Sequence, residues 1–128
     1  MKSRSNKKTK NILVIDVGGT HIKLLAAGQR EQRKILSSPT MTPAKMVRDV
    51  KLATRDWEYG RISIGYPGPV THGRPLCEPH NLGTGWVKFD FAKAFVAHKN
   101  YGGEAEKMRN RIAQDELTIK LTSTFWSA

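Results

Sequence analysis

The stretch NILVIDVGGTHIKLL, residues 11–25, runs from an apolar strand into an acid, two glycines and a threonine, then resumes as a second strand-like run. Ile12 to Val17 carries an Ile/Leu/Val pattern bounded by Asn11 and Gly18, which predicts a buried strand. His21 to Ala27 predicts a second strand and Gln32 to Ser37 a third, with Gly28 in the turn between them. Two successive hairpins predict an antiparallel three-stranded meander. Asp16 adds little to packing and a Gly-Gly pair costs conformational entropy, so their place at a hairpin turn calls for a chemical reason.

Beyond the meander, Thr42 can cap a helix whose first turn suits Pro43. Met46, Val47, Val50, Ala53 and Trp57 recur at helical spacing on one face of it, which is expected to be core. Arg61 to Tyr66 (RISIGY) predicts a short strand that stops at Pro67-Gly68-Pro69. Because a helix separates it from the third strand, this fourth strand is expected to return parallel to an earlier one. From Thr71 to Gly85 the chain is rich in Gly, Pro and His and reads as a long loop, a feature more often functional than idle. Phe89 to Phe95 (FDFAKAF) predicts the start of another helix, with Asp90 near its N-terminus.

The pattern changes near Val96. VAHKNYGG leads into a polar, helix-like run, Glu104 to Leu117, with Ala105, Met108, Ile112, Ala113 and Leu117 on one stripe. Leu117 to Thr124 then alternates like an edge strand. These shifts divide the chain into a basic leader over 1–10, a lobe over 11–95 and a divergent tail over 96–128. The whole is 128 residues, about one domain and small for a two-lobed enzyme with a cleft between lobes.

The formal charge is +11, which points to an anionic partner: nucleic acid, an acidic membrane surface or a phosphate-rich substrate. Met1 to Lys10 holds five Lys/Arg and no acid, so a leader expected to be disordered supplies nearly half of the excess. It lacks an apolar run long enough for a signal peptide or membrane span, so a cytoplasmic location without membrane partners is expected. Cys77 is the single cysteine, which rules out an internal disulfide and a cysteine-built zinc cluster.

Three stretches carry chemistry. In Asp16-Val17-Gly18-Gly19-Thr20, glycines let backbone N–H groups converge on an anion, Thr20 adds a hydroxyl donor, and Asp16 can hold Mg2+ directly or through water. Positioning and charge neutralisation of this kind are most of what phosphoryl transfer asks of a protein. A hairpin turn beside an incidental acid is the alternative. Gly65-Tyr66-Pro67-Gly68-Pro69-Val70 ends a strand in a rigid turn, and on its own reads as structural. Glu78-Pro79-His80-Asn81-Leu82-Gly83-Thr84-Gly85-Trp86 places polar groups and an aromatic on a loop, a composition suited to a sugar, although a Trp more often simply packs.

In this order and spacing the three resemble the ROK family of sugar kinases and repressors, most closely its glucokinase members, including the polyphosphate-using ones. DVGGTHIK resembles the family's first phosphate motif, GYPGPV its strand-end sugar-site turn, and EPHNLGTGW its NLxxW-like loop. The resemblance runs from about Asn11 to Phe95. It implies an α/β, actin-like (ribonuclease-H-like) ATPase lobe with a mixed sheet, Mg2+ with ATP or polyphosphate as phosphoryl donor, and glucose or a related hexose as acceptor. Position by position, it implies that Asp16 binds the metal or its water, and that Gly18, Gly19 and Thr20 contact the donor phosphates with support from Lys23 and His21. Gly68 and Asn81, with their neighbours Pro67 and His80, would line the hexose side.

The chain departs from the family after Phe95. Family kinases continue into a strand that ends in an Asn-Asp pair, whose Asp takes the proton from the sugar hydroxyl. No Asn-Asp dipeptide occurs here, and Asp115, within Gln114-Asp115-Glu116, lies in a polar helical run with no strand before it. No residue is therefore assigned the catalytic role. The family's later His/Glu sugar ligands, zinc loop, second phosphate motif and adenine-binding segment are also missing. Without a base and a second lobe, neither proton removal nor closure over substrates is available, so the expectation is a truncated, catalytically incomplete lobe.

A frameshifted or truncated copy of a longer kinase accounts for the change near Val96. A genuine short protein whose tail replaces the missing strand, giving a non-catalytic phosphate- or sugar-binding module, competes with it. An isolated first lobe exposes the face that normally meets the second, which leaves self-association open. The basic leader allows non-specific, salt-sensitive nucleic-acid binding, but ten residues cannot form the helix-turn-helix that the family's repressors carry.

Overall fold

The computed structural model describes residues 11–96 and 118–123. The basic leader, the Glu104 to Leu117 stripe and Asp115 lie outside them. The three apolar runs that open the chain form β1 (Ile12–Val17), β2 (His21–Ala26) and β3 (Arg33–Leu36), joined as the expected antiparallel meander. Strict alternation of buried and exposed residues along β1 and β2 puts Leu13, Ile15, Val17, Ile22, Leu24 and Ala26 on one face of the sheet.

Helix α1 (Pro43–Ala53) follows, starting where the sequence signals it: the Thr42 side chain accepts the Lys45 N–H at 3.2 Å and Pro43 occupies the first turn. Met46, Val47 and Val50 form its buried stripe. The helix stops at Ala53, so Trp57, although buried, lies beyond it rather than on it. The end is fixed by Thr54, whose N–H and hydroxyl both donate to the Val50 carbonyl. The Thr54 hydroxyl is also 2.8 Å from the Tyr59 hydroxyl.

The chain then forms β4 (Arg61–Tyr66), which lies parallel to β1, as a helical crossover between them requires. The glycine- and proline-rich stretch that follows is not wholly irregular, because it opens with a small hairpin, β5 (Val70–Thr71) against β6 (Arg74–Pro75). Helix α2 (Phe91–Val96) comes next, and Asp90 accepts the Lys93 N–H at 3.1 Å as its cap. The buried Lys51 of α1 donates to the Ala94 carbonyl at 3.0 Å and ties the two helices together. The alternating run near the C-terminus forms β7 (Thr118–Ser123), parallel to β4 at the edge of the sheet.

The five-stranded mixed sheet has the order β3-β2-β1-β4-β7. Both helices and the loop around Trp86 contribute to the one core on its packed face, where Trp86 is fully buried beside Tyr66 and Phe91 at ring-centroid separations of 5.9 and 6.2 Å. No helix among the described residues is long and apolar enough to cross a membrane.

Candidate functional site

Since β1, β4 and β7 are parallel, their C-terminal ends share one edge of the sheet. The register sets Asp16 beside Gly65 and Gly65 beside Thr122. The Gly-Gly-Thr turn after β1 and the Pro67-Gly68-Pro69 turn after β4 therefore leave the sheet side by side.

The β1–β2 turn is braced from below. Gly18 N–H donates to the His21 carbonyl at 3.1 Å, and Ser37, just past β3, reaches the turn twice: its hydroxyl donates to Gly18 O at 2.9 Å and its N–H to Thr20 O at 3.0 Å. A side chain at Gly18 would put Cβ 2.8 Å from that His21 carbonyl, so glycine is sterically required there. The exposed Gly19 and Thr20 amides, and the Thr20 hydroxyl, donate to no acceptor among the described residues. Two adjacent donors on a fixed turn are suited to an anion. The Gly18 amide, being engaged, shapes the turn rather than joining those donors.

Asp16 is exposed on the face of the sheet opposite the core, with Lys23 directly across from it on β2 and Lys34 directly across from Lys23 on β3. Like charges in register repel, so the Lys23–Lys34 pair makes this side of the hairpin electropositive at some cost to the sheet. His21 begins β2 half-buried, opposite Leu36.

The long loop returns to the hairpin. Asn81 adopts φ +63°, and a Cβ built on Gly19 would stand 3.3 Å from Asn81 Cβ and 3.5 Å from its Nδ2. The first and third motifs thus touch across 62 residues of sequence. The loop is held by contacts to the body of the lobe. Glu78 accepts the backbone N–H groups of Trp86 and Val87 at 3.1 and 3.3 Å. The Met41 carbonyl accepts Gly83 N–H at 2.8 Å and Trp86 Nε1–H at 3.2 Å. Tyr66, fully buried, donates its hydroxyl to the Cys77 carbonyl at 2.6 Å. Burial, reinforced by nearby Glu78 and Cys77, raises the Tyr66 pKa and keeps that donor protonated.

Trp86 is therefore a core residue, the packing role that a tryptophan more often takes, and not a platform for a sugar. Asp16, Gly18, Gly19, Thr20, His21 and Lys23 come together on the hairpin, and Asn81 joins them. Pro67, half-buried, and Gly68, buried, leave the sheet at the same edge. A Cβ on Gly68 would lie 3.0 Å from the Tyr66 ring. His80 is exposed and makes no hydrogen bond among the described residues. Sequence reasoning missed Ser37, Glu78 and the Met41 carbonyl. Ser37 had no signal, while Glu78 opened the quoted loop motif but was read for composition alone.

No cluster of three or more His, Cys, Asp or Glu side chains fit to hold a metal ion occurs among the described residues. Asp16 is a single carboxylate, the kind of contact that Mg2+ needs when substrate phosphates and water complete its shell.

No family model and no curated protein matches the chain. Among solved structures, the chain is similar to a putative sugar kinase from Cytophaga hutchinsonii ATCC 33406, with a TM-score of 0.57 and 19% identity over 88% of this chain and 36% of that one. The chain thus spans little more than a third of the length of that protein, and its mixed α/β sheet has a sugar kinase-like fold.

Proposed function

We propose that this chain is the phosphate-binding lobe of a hexose kinase of the ROK type, and that by itself it binds substrates without efficient turnover. The observation that carries the reading is the contact between Gly19 and Asn81, which sets a phosphate-type turn against a polar loop at the C-terminal edge of parallel strands.

In this reading the Gly19 and Thr20 amides and the Thr20 hydroxyl hold a phosphate of ATP or polyphosphate, with Gly18 shaping the turn and His21 and Lys23 adding positive charge. Asp16 holds Mg2+ that arrives with the donor, and the metal supplies charge neutralisation. Pro67, Gly68, His80 and Asn81 face the glucose-type acceptor. These residues bind and orient. Transfer to a sugar hydroxyl also needs a group to accept its proton. In this assignment Asp16 is committed to the metal, and Glu78 already accepts two backbone N–H groups.

The test pairs calorimetric titration of tripolyphosphate, with and without Mg2+, with a coupled assay of glucose phosphorylation using ATP or polyphosphate. Mg2+-dependent binding that weakens about tenfold or more in Asp16→Ala, with turnover at background, is the expected result. Binding that survives both Asp16→Ala and Thr20→Ala overturns the reading. Turnover that Asp16→Ala abolishes would show that the chain supplies a base of its own.

A further inference from the structure

We infer that the free edge of β3 takes up an extended acidic peptide as an added antiparallel strand, with one apolar side chain of that peptide seated in the groove between β3 and α1. β3 is the outer strand of the sheet, so one side of its backbone has no neighbouring strand among the described residues. The register shows which groups are left over. Ser37 N–H donates to Thr20 O, and antiparallel hydrogen bonding alternates along a pair of strands. Ile35 and Arg33 therefore bond inward to Ile22 and Leu24, while Lys34 and Leu36 turn their N–H and C=O groups outward. Each of the two presents a donor and an acceptor to a further strand, which is how a sheet edge captures an extended peptide.

The surroundings of the edge specify what fits. An open groove of about 730 Å³ lies beside it, with Ile35 and Leu52 in its lining together with Lys34 and Arg55. The two acids there are already engaged: Asp56 accepts from Arg33 at 2.7 and 2.9 Å, and Asp49 from Lys45 at 2.7 Å. Lys34 and Arg55 form no ion pair among the described residues. On the opposite face of the sheet Leu36 is 75% exposed, and Lys34 is backed by Lys23 directly across on β2. An antiparallel strand laid along this edge meets Leu36, Ile35 and Lys34 in that order from its own N-terminus. The sequence that fits is two apolar residues followed by an acid, the second apolar side chain pointing to the groove and the acid lying beside Lys34. A second copy of β3 would bring Lys34 and a chain of net charge +11 against the same, so charge favours an acidic partner over self-association. Nucleic acid lacks peptide N–H and C=O groups and cannot extend the ladder. A lysine on an edge strand is a common guard against pairing, and here it repels basic strands while admitting an acidic one. This inference stands apart from the phosphate reading, because it uses neither the hairpin tip nor Asn81.

The experiment uses the full chain and capped peptides of about eight residues, one with Val-Val-Glu at its centre and one with Val-Val-Lys, each flanked by serine and threonine. Binding is followed by fluorescence anisotropy at about 50 mM salt. The Glu peptide is expected to bind about tenfold or more tightly than the Lys peptide, and the exposed change Lys34→Glu should invert that preference. Two N-methylated forms of the Glu peptide test strand pairing on the unmodified protein. A methyl on the glutamate nitrogen, which faces β3 in this register, should weaken binding about tenfold or more. A methyl on the nitrogen of the second valine, which faces away from β3, should change binding by less than about threefold. Equal binding of the Glu and Lys peptides, binding of neither, or equal loss on methylation at the two positions overturns the inference. So does a sedimentation profile in which the unmodified chain is a dimer that Leu36→Lys converts to monomer, since a second copy would then occupy the edge. Tripolyphosphate is titrated into the same samples, and the inference stands whether or not the hairpin binds it, so the two readings fail separately.

Discussion

Asn81, held at φ +63°, packs its side chain against Gly19 so closely that a Cβ on Gly19 would lie 3.3 Å away from that of Asn81. The loop that carries Asn81 and the hairpin that carries Gly19 are therefore one structural unit, although each is built on a different strand end. Gly19 itself is not in the left-handed region, so alanine is compatible with its backbone. Gly19→Ala should change stability by no more than about 1 kcal/mol, while Asn81 shifts by a few tenths of an ångström. Asn81→Gly removes the crowding atom. A double-mutant cycle on unfolding free energy should therefore show an interaction of about 0.5–1 kcal/mol in which the second change offsets the first. Strict additivity in urea denaturation would mean that the two elements are not in contact in solution.

Gly83 presents a harder constraint. A Cβ there would come within 2.7 Å of the Thr40 carbonyl oxygen and 2.8 Å of that of Met41, both backbone atoms that cannot rotate away. Its own N–H donates to Met41 O, so the loop is pinned at this point by contact and hydrogen bond together. Gly83→Ala should destabilise the lobe by about 1–3 kcal/mol, the usual range for overpacking a close contact. The same change at Gly73, where φ is +74° but no atom lies within 4 Å, should cost only the left-handed penalty of about 1 kcal/mol. Urea midpoints of the two variants separate sterics from backbone strain.

The meander, α1 and β4 were legible because each carries its own period: alternation along the strands, a three-four spacing along the helix, and a Thr-Pro start. The sheet order was legible only in part. A helix between strands implies a parallel return, but nothing local says that β4 joins β1 rather than β3, or that β7 then joins β4. Trp57 was misplaced because its spacing continues the helical stripe, whereas the Thr54 hydrogen bonds that end the helix depend on three-dimensional partners. In the site, the anion-type turn was legible from Gly-Gly-Thr, yet the meeting of Gly19 with Asn81 and the bracing by Ser37 are long-range contacts that no short motif encodes. Trp86 shows the limit of composition, because the same residues that suit a sugar also suit a loop pinned to a core.

Trp86 can be tested against that limit. Trp86→Phe keeps most of the packing with Tyr66 and Phe91 and removes the Nε1–H bond to Met41, whose carbonyl still accepts Gly83 N–H. The variant should lose about 1–2 kcal/mol of stability, while glucose affinity, if present, changes less than about threefold. A large loss of affinity with unchanged stability would place Trp86 in the sugar site.

Acid should weaken the lobe through one identifiable pair. Arg33 donates from both terminal nitrogens to the two Asp56 carboxylate oxygens at 2.7 and 2.9 Å, reaches the Ala53 carbonyl at 2.6 Å and lies 4.1 Å from the Trp57 ring centroid. The hydrogen bond from Arg33 lowers the Asp56 pKa to about 2. A carboxylate whose folded pKa is depressed contributes stability in full above its unfolded value of about 3.9, and that contribution disappears as pH falls toward about 2. Asp56→Asn should therefore melt slightly lower than the unmodified chain at pH about 6, and the two melting temperatures should converge as pH approaches 2. Asp56 is largely exposed and Arg33 half-buried, so salt should shrink the difference as well. A gap that persists at pH about 2 would assign the effect to lost packing over Trp57 rather than to charge.

The hairpin's own charges give the last test. Lys23 stands between Asp16 on one neighbouring strand and Lys34 on the other, so it shares one attraction and one repulsion across the sheet. For an exposed residue in that position, Lys23→Met should leave stability within about 0.5 kcal/mol, because the two terms oppose each other. If the turn holds a phosphate, the same change should weaken tripolyphosphate binding about three- to tenfold and reduce its salt dependence, since one cation no longer faces the anion. Arg48→Met on the exposed side of α1 removes the same charge away from the hairpin and should do neither. Equal effects from the two substitutions would show that tripolyphosphate senses only the net charge of the chain, and that the turn of Gly18, Gly19 and Thr20 confers no local preference for it.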